Sequence, residues 1–352
     1  MVSQTLRNAL ISTLSSRPVS ALATNIIGTG TPIFMLHRTY PDATPHKKQT
    51  PSYLRACLDY LRKNGYHFIS VTDILLSIKN NTALPKKSIA FTIDDGFIDQ
   101  AALAAPVFLD FRCPVTIFLI TGFLDGELWP WFSKVEYLIK NASINRLQLQ
   151  LNGIDLVYPL TTDSEKKRAC RQLLAYIKQQ PWTQVDTILA NISTVTNVPL
   201  PEQAPEDSRP MSWATARELE HAGISFGPHT RTHHILSRVS DEQSREEINH
   251  SWARLKAELK NPTPVFCYPN GEKEDFGERE IDFIKTTEML GAISTIPMQY
   301  SSKFNEADVI YKLPRYSLPN DFNIFKMYSS WIEFAKDRLR KSRMVNNNKT
   351  AP

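Results

Sequence analysis

No run of apolar residues in this chain approaches the roughly 20 needed to span a bilayer, and the longest, such as 115–120, have only strand length. An integral membrane protein is therefore not expected. Cysteine is scarce as well: Cys57, Cys113, Cys170 and Cys267 stand far apart with no C-x-x-C spacing. That excludes a secreted disulfide framework and a cysteine zinc site, and it reads as isolated thiols in a reducing compartment. A continuous export-signal core is missing too. Ser12, Thr13, Ser15, Ser16, Arg17 and Pro18 interrupt the apolar start at Ala9-Leu10-Ile11, so residues 1–28 are expected to form a short helical segment of a cytoplasmic protein. Internal repeats are lacking, and no histidine follows His250.

What is present is an ordinary globular composition, 352 residues with 42% hydrophobic and 22% charged, which leaves out the disordered and collagen-like classes. A net charge of +5 at first invites a polyanion partner. The last twenty residues, however, hold +4 of it: Lys336, Arg338, Arg340, Lys341, Arg343 and Lys349 against Glu333 and Asp337. The body is near neutral, so no nucleic-acid partner is expected. A basic helix and tail remain at 325–352. Its stripe of Phe325, Tyr328, Ile332, Ala335 and Leu339 is expected to dock, while the basic side faces water or makes peripheral contact with an anionic membrane.

Short apolar runs alternate with longer amphipathic stretches, the pattern of an α/β fold with mostly parallel strands. Strands are predicted at 31–36, 66–70, 88–93, 115–120, 223–227, 264–268, 290–295 and 309–313, with helices at 52–64 and 241–260 between them. The second helix opens on a capping-box spacing, Ser240 to Gln243, and carries Ile248, Trp252, Leu255 and Leu259 on one stripe. The stretch 124–210 breaks the rhythm and reads as a helical insertion across one face. Trp129 and Trp131 in it fit either a sugar-stacking platform or buried anchors.

Three clusters carry chemistry, each at a predicted strand exit. Phe91-Thr92-Ile93-Asp94-Asp95-Gly96 delivers two adjacent carboxylates, which point opposite ways in extended chain and so have different jobs. His229 and His233 in the second are spaced i, i+4, which on a helical turn sets both imidazoles on one side for one cation. With Asp95 they make a three-ligand set that leaves positions open for water and substrate, zinc being the default ion; a surface histidine patch is the alternative. The third cluster, Phe266-Cys267-Tyr268-Pro269-Asn270-Gly271, reads on its own as a strand ending in a turn.

In this order the clusters resemble the polysaccharide deacetylases with a NodB-homology domain, carbohydrate esterase family four. Supporting likenesses are Pro32 to His37, Trp213 to Gly223 and Leu313-Pro314-Arg315, and the resemblance spans roughly 30–125 and 210–320. It implies a distorted (β/α) barrel of about seven units occupying residues 29–324. It further implies a hydrolase that removes acetyl groups from an N-acetylated glycan or lipid-linked saccharide. Asp95, His229 and His233 would hold a divalent metal, zinc by preference; Asp94 would be the general base, and the Tyr268 N–H would stabilise the oxyanion.

The chain departs from the commonest family pattern at two positions. Many members carry arginine where this chain has Cys267, and a late histidine general acid that this chain lacks. His37, at the first strand exit, can supply the acid because first and last strands are neighbours in a barrel, and Arg315 can orient Asp94. His234, where relatives usually have proline, is an alternate ligand or a bystander. Two other readings remain open: a non-catalytic glycan-binding relative, and a non-haem iron enzyme, since two histidines and a carboxylate also form an iron triad.

Overall fold

In the computed structural model, which describes residues 11–349 apart from 12, 15, 16, 152 and 303–307, most of the predicted apolar runs become short parallel strands with helices between them. The first half runs α1 (Arg17–Ile27), β1 (Ile33–Leu36), α2 (Pro51–Lys63), β2 (His67–Phe68), α3 (Val71–Lys79), β3 (Ser88–Asp95), α4 (Ala105–Asp110) and β4 (Val115–Leu119). The insertion supplies α5 (Trp131–Asn141), a β5 (Arg146–Leu151) and β6 (Ile154–Pro159) hairpin, α6 (Asp163–Ile177) and α7 (Val185–Thr196). The barrel resumes with α8 (Trp213–Ala222), β7 (Ser225–Pro228), α9 (Asp241–Glu258), β8 (Val265–Cys267), α10 (Glu278–Lys285), β9 (Gly291–Ile293) and β10 (Tyr316–Ser317). Helices α11 (Phe322–Tyr328) and α12 (Trp331–Lys349) close the chain.

The main sheet is parallel in the order β10-β1-β3-β4-β7, with β2 pairing the start of β3. Strands β8 and β9 pair parallel as a separate ladder. Single links close the ring on both sides of that ladder. Thr263 N–H donates to the Phe226 carbonyl (2.7 Å) beside β7, and Leu313 forms a parallel bridge to Ile293 toward β10. The seven parallel strands β1, β3, β4, β7, β8, β9 and β10 thus form the distorted (β/α) barrel. Neighbouring first and last strands follow from it: Phe34 of β1 is in register with Tyr316 of β10. Every residue of β3 is buried, as expected for a strand covered on both faces.

Local sequence accounts for the helix ends. The Ser240 hydroxyl accepts from Gln243 N–H and the Gln243 carboxamide oxygen from Ser240 N–H, both at 3.2 Å, which starts α9. Ile248, Leu255 and Leu259 are buried, fixing that helix against the barrel. The insertion has its own core, where Val135, Leu138, Leu147, Leu173, Ile188 and Ile192 meet.

Three expectations need correction. The run 309–313 is not a strand: Val309–Tyr311 is one 3-10 turn, and the last strand is Tyr316–Ser317, after Pro314. A single C-terminal helix from Phe325 is in fact two, broken at Ser329-Ser330. Leu339 does not dock with Phe325 but is 61% exposed. Among the described residues, no helix is long and apolar enough to cross a membrane. The start of the N-terminal segment, residues 1–10, lies outside the described residues.

Candidate active site

The C-terminal end of β3 delivers Asp94 and Asp95 to the same end of the barrel as the loop after β7, which carries His229 and His233. Asp95 leaves the strand at φ 92°, and the loop uses two more left-handed residues, Thr230 and His233, each at φ 62°. Such conformations are costly for non-glycine residues and cluster where function demands them. The expected helical turn is therefore absent: a bent loop, not i, i+4 stacking, sets the imidazole centroids of His229 and His233 4.8 Å apart.

The loop is held from behind by a residue that the motifs did not reveal. Glu247 of α9, 7% exposed, accepts from the N–H groups of Arg231 and Thr232, each at 2.9 Å, and from the Thr232 hydroxyl at 2.6 Å. The Thr230 hydroxyl accepts from His233 N–H at 2.9 Å. A signal for Glu247 does exist in the sequence. It sits on the face of α9 that buries Ser244, Ile248, Ser251 and Leu255, where a solvated acid does not belong.

His229 Nδ1 lies 2.8 Å from the Cys267 carbonyl, which can only accept, so Nδ1 carries the proton and Nε2 keeps its lone pair. That Nε2 and the Nε2 of His233 each stand 3.7 Å from Asp95 Oδ1, too far for a hydrogen bond. Asp95 Oδ1 is buried without a partner. Burial, and then the charge of Asp94, push the Asp95 carboxyl well above the usual carboxylate range. Desolvation pushes His229 down to about 4 and His233 well below its ordinary value. The three ligand atoms converge within 4.8 Å of one another. Neutral imidazoles and an orphaned buried carboxylate around one point fit a divalent cation, which would supply the charge this cluster lacks.

Asp94 turns the other way. Desolvation would raise its carboxyl, but the charge of Arg315, followed by His229, the Arg315 hydrogen bonds and His37, holds it well below the ordinary range. Arg315 Nη1 reaches Asp94 Oδ1 at 2.8 Å and Nη2 reaches Oδ2 at 2.9 Å. Its remaining donors go to the Thr92 hydroxyl (2.9 Å), the Ser294 carbonyl (2.9 Å) and Cys267 Sγ (3.2 Å). Position 267 therefore holds a small residue beside the guanidinium that arrives from β10's approach.

His37 follows β1, its side chain 49% exposed and its Nε2 4.0 Å from Asp94 Oδ2. Gln100 Nε2 donates to the main-chain carbonyls of both His37 and Asp94, tying the two strand exits together. Tyr268 is placed differently from its expected role. Its ring is buried against Phe276 and its N–H donates to the Ile293 carbonyl at 3.3 Å. Trp129 and Trp131 are each 4% exposed and are buried anchors, not a platform. The insertion instead sets Phe132 edge-on to His233 (5.0 Å) and Trp182 against His234 (3.9 Å). His234 lies outside the converging ligand group.

Residues 81–279 match a family described as polysaccharide deacetylase. Comparison with curated proteins finds no significant match. Similar solved structures include Streptococcus pyogenes deacetylase PplD in complex with acetate, 16% identical, with TM-score 0.54 over 88% of this chain and 98% of that one. IcaB from Ammonifex degensii is 16% identical, with TM-score 0.53 over 87% and 98%. A de-N-acetylase from Aggregatibacter actinomycetemcomitans is 13% identical, with TM-score 0.53 over 85% and 100%. At such identities the likeness to these structures shows the shared barrel.

Proposed function

Because the chain belongs to the polysaccharide deacetylase family, hydrolases of carbon–nitrogen bonds in acetylated carbohydrates, we propose that it removes acetyl groups from N-acetylated glycans, using a divalent metal and Asp94 as general base. The observation that carries this reading is the pair of carboxylates at the end of β3. Asp95 is orphaned among two neutral imidazoles, while Asp94 is clamped ionised 4.0 Å from His37.

Asp95, His229 and His233 would hold the ion. Bound there, zinc or a similar ion supplies Lewis acidity toward the acetamide carbonyl and lowers the pKa of a water. Asp94 is placed to take a proton from an attacking water at its carboxylate, and Arg315 keeps both oxygens oriented and stops the residue from rotating away. His37 is exposed enough to meet substrate, and donates a proton to the departing amine. The Tyr268 N–H serves an oxyanion only if it releases Ile293.

Acetate release from a panel of N-acetylated oligosaccharides tests the proposal, with wild type, Asp94→Asn and chelated enzyme compared. Release by wild type and its loss in the other two is expected. Equal release with and without chelator sinks the metal assignment, and equal release by Asp94→Asn sinks the base.

A further inference from the structure

The barrel end opposite the site carries a surface that the deacetylase reading leaves unused. Large apolar residues are exposed at seven described positions, and the three most exposed all lie on the terminal helices: Ile26 (76%) and Leu22 (65%) on α1, Leu339 (61%) on α12. Leu22 and Ile26 are one helical turn apart and share a face. The two helices lie side by side. Trp331 Nε1 donates to the Leu14 carbonyl and Arg338 Nη1 to the Ile27 carbonyl, each at 3.2 Å, so the partner of Ile27 is the residue just before Leu339.

Among the described residues, the acids of these two helices do not face outward. The acids of α12 are Glu333 and Asp337, exposed by only 2% and 1%, and both point inward. Asp337 Oδ2 accepts from the Tyr316 hydroxyl (2.6 Å) and Gln299 N–H (3.0 Å), anchoring the helix to the barrel. Glu333 pairs with Lys336 (3.0 Å) and Arg340 (3.2 Å). Helix α1 contains no acid at all. What α12 turns outward unpaired with these acids is therefore Arg338 beside Leu339, whereas Arg340, also exposed, is held by Glu333 and Asp337 (3.1 Å). Ile26 also lies at a cavity of about 390 Å³ that Lys86 and Lys87 line and, among the described residues, no carboxylate does.

We propose that α1 and α12 together form a docking face for an anionic lipid bilayer. Exposed aliphatic side chains that can enter the headgroup boundary, flanked by cations and free of outward acids, are the complement of such a surface. A helix of 11 residues is too short to cross it, so α1 would lie in the interface. A second copy of the chain is the weaker occupant, because a stable dimer needs roughly 800 Å² per partner and three aliphatic side chains supply a small part of that.

The geometry sets an orientation. Helix α1 leads into the start of β1, and the loop with Lys86 and Lys87 leads into the start of β3, whereas Asp94 and Asp95 end β3. The length of that strand, roughly 23 Å at its rise per residue, separates face from site. A docked molecule would turn its site away from the bilayer, toward glycan in the surrounding water. This proposal stands apart from the deacetylase reading and is tested without it.

The full chain is sedimented with vesicles of phosphatidylcholine alone or mixed with phosphatidylglycerol. Binding to the mixed vesicles only is expected, with a loss of about tenfold or more in Leu22→Ser/Ile26→Ser and a clear loss in Lys86→Glu, thermal unfolding being unchanged. No binding to mixed vesicles overturns the proposal, as does binding indifferent to Leu22→Ser/Ile26→Ser. Analytical ultracentrifugation showing a dimer that the same pair dissociates also overturns it and assigns the face to a second copy.

Discussion

Arg315 meets Asp94 as a two-pronged pair, 2.8 and 2.9 Å, and spends its other three donors on Thr92, Ser294 and Cys267, so a guanidinium with no exposed surface is fully satisfied. A lysine has no planar fork to reproduce this. Arg315→Lys is expected to lower kcat about 100-fold with KM little changed. Arg315→Ala should cost about 3–5 kcal/mol of stability, because it leaves a buried carboxylate alone. Steady-state kinetics and urea unfolding read the two effects. Wild-type kcat in Arg315→Lys removes the orienting role.

Metal removal should be visible apart from activity. An ion that binds only the folded chain adds about 2.7 kcal/mol at a hundred times its Kd, so chelation lowers the melting midpoint and zinc restores it. Asp95→Asn is expected to abolish that response. The same substitution should leave the metal-free protein no less stable than wild type, since the carboxyl oxygen it replaces is buried without a partner. A chelator-sensitive midpoint in Asp95→Asn would place the ion elsewhere.

The strands that carry the site were legible because each couples an apolar run to a turn residue: β3 into Gly96, β7 into the histidine loop, β8 into Pro269-Asn270-Gly271. The last strand was not, because Val309-Ile310-Tyr311 looks more strand-like than Tyr316-Ser317, and only pairing with β1 decides. Helix α7 was hidden in a β-branched sequence that forms a helix by packing Ile188 and Ile192 into the insertion core. The i, i+4 spacing of the histidines pointed to the right pair for a reason the loop does not use, since left-handed residues are invisible in spacing.

Glu247 is the site residue least visible beforehand, and it touches no ligand atom. Glu247→Ala strips the acceptors from two N–H groups and a hydroxyl. It should weaken zinc binding about 10–100-fold, the usual effect of losing support behind a ligand. Glu247→Gln keeps one oxygen and should recover part of the affinity. Competition with a chromophoric chelator measures it. Unchanged affinity in Glu247→Ala would leave the residue a purely structural part.

His37→Ala tests the proton donor. The side chain is half exposed, so little stability change is expected, while kcat on an acetamide should fall about 10²–10⁴-fold. An aryl acetate, whose leaving group needs no proton, should lose far less. Equal losses on both substrates would show that His37 acts on binding and not on the leaving amine.

The exchange between positions 267 and 315 can be run backward. Cys267 is fully buried and its Sγ lies 3.2 Å from Arg315 Nη2, so Cys267→Arg sets a second cation into space that Arg315 already fills. Overpacking and an unpaired charge should together cost about 3–5 kcal/mol. If the two positions are alternative sources of one guanidinium for Asp94, Cys267→Arg/Arg315→Ala vacates that space and restores one cation to one carboxylate. The double variant should then be more stable than the two single effects added together, by a coupling of about 0.5–3 kcal/mol, and more active than Arg315→Ala. A four-member cycle in urea, with acetate release measured alongside, gives both numbers. Simple additivity would mean that Cys267 accommodates Arg315 by size alone and that an arginine at 267 cannot reach Asp94 in this barrel.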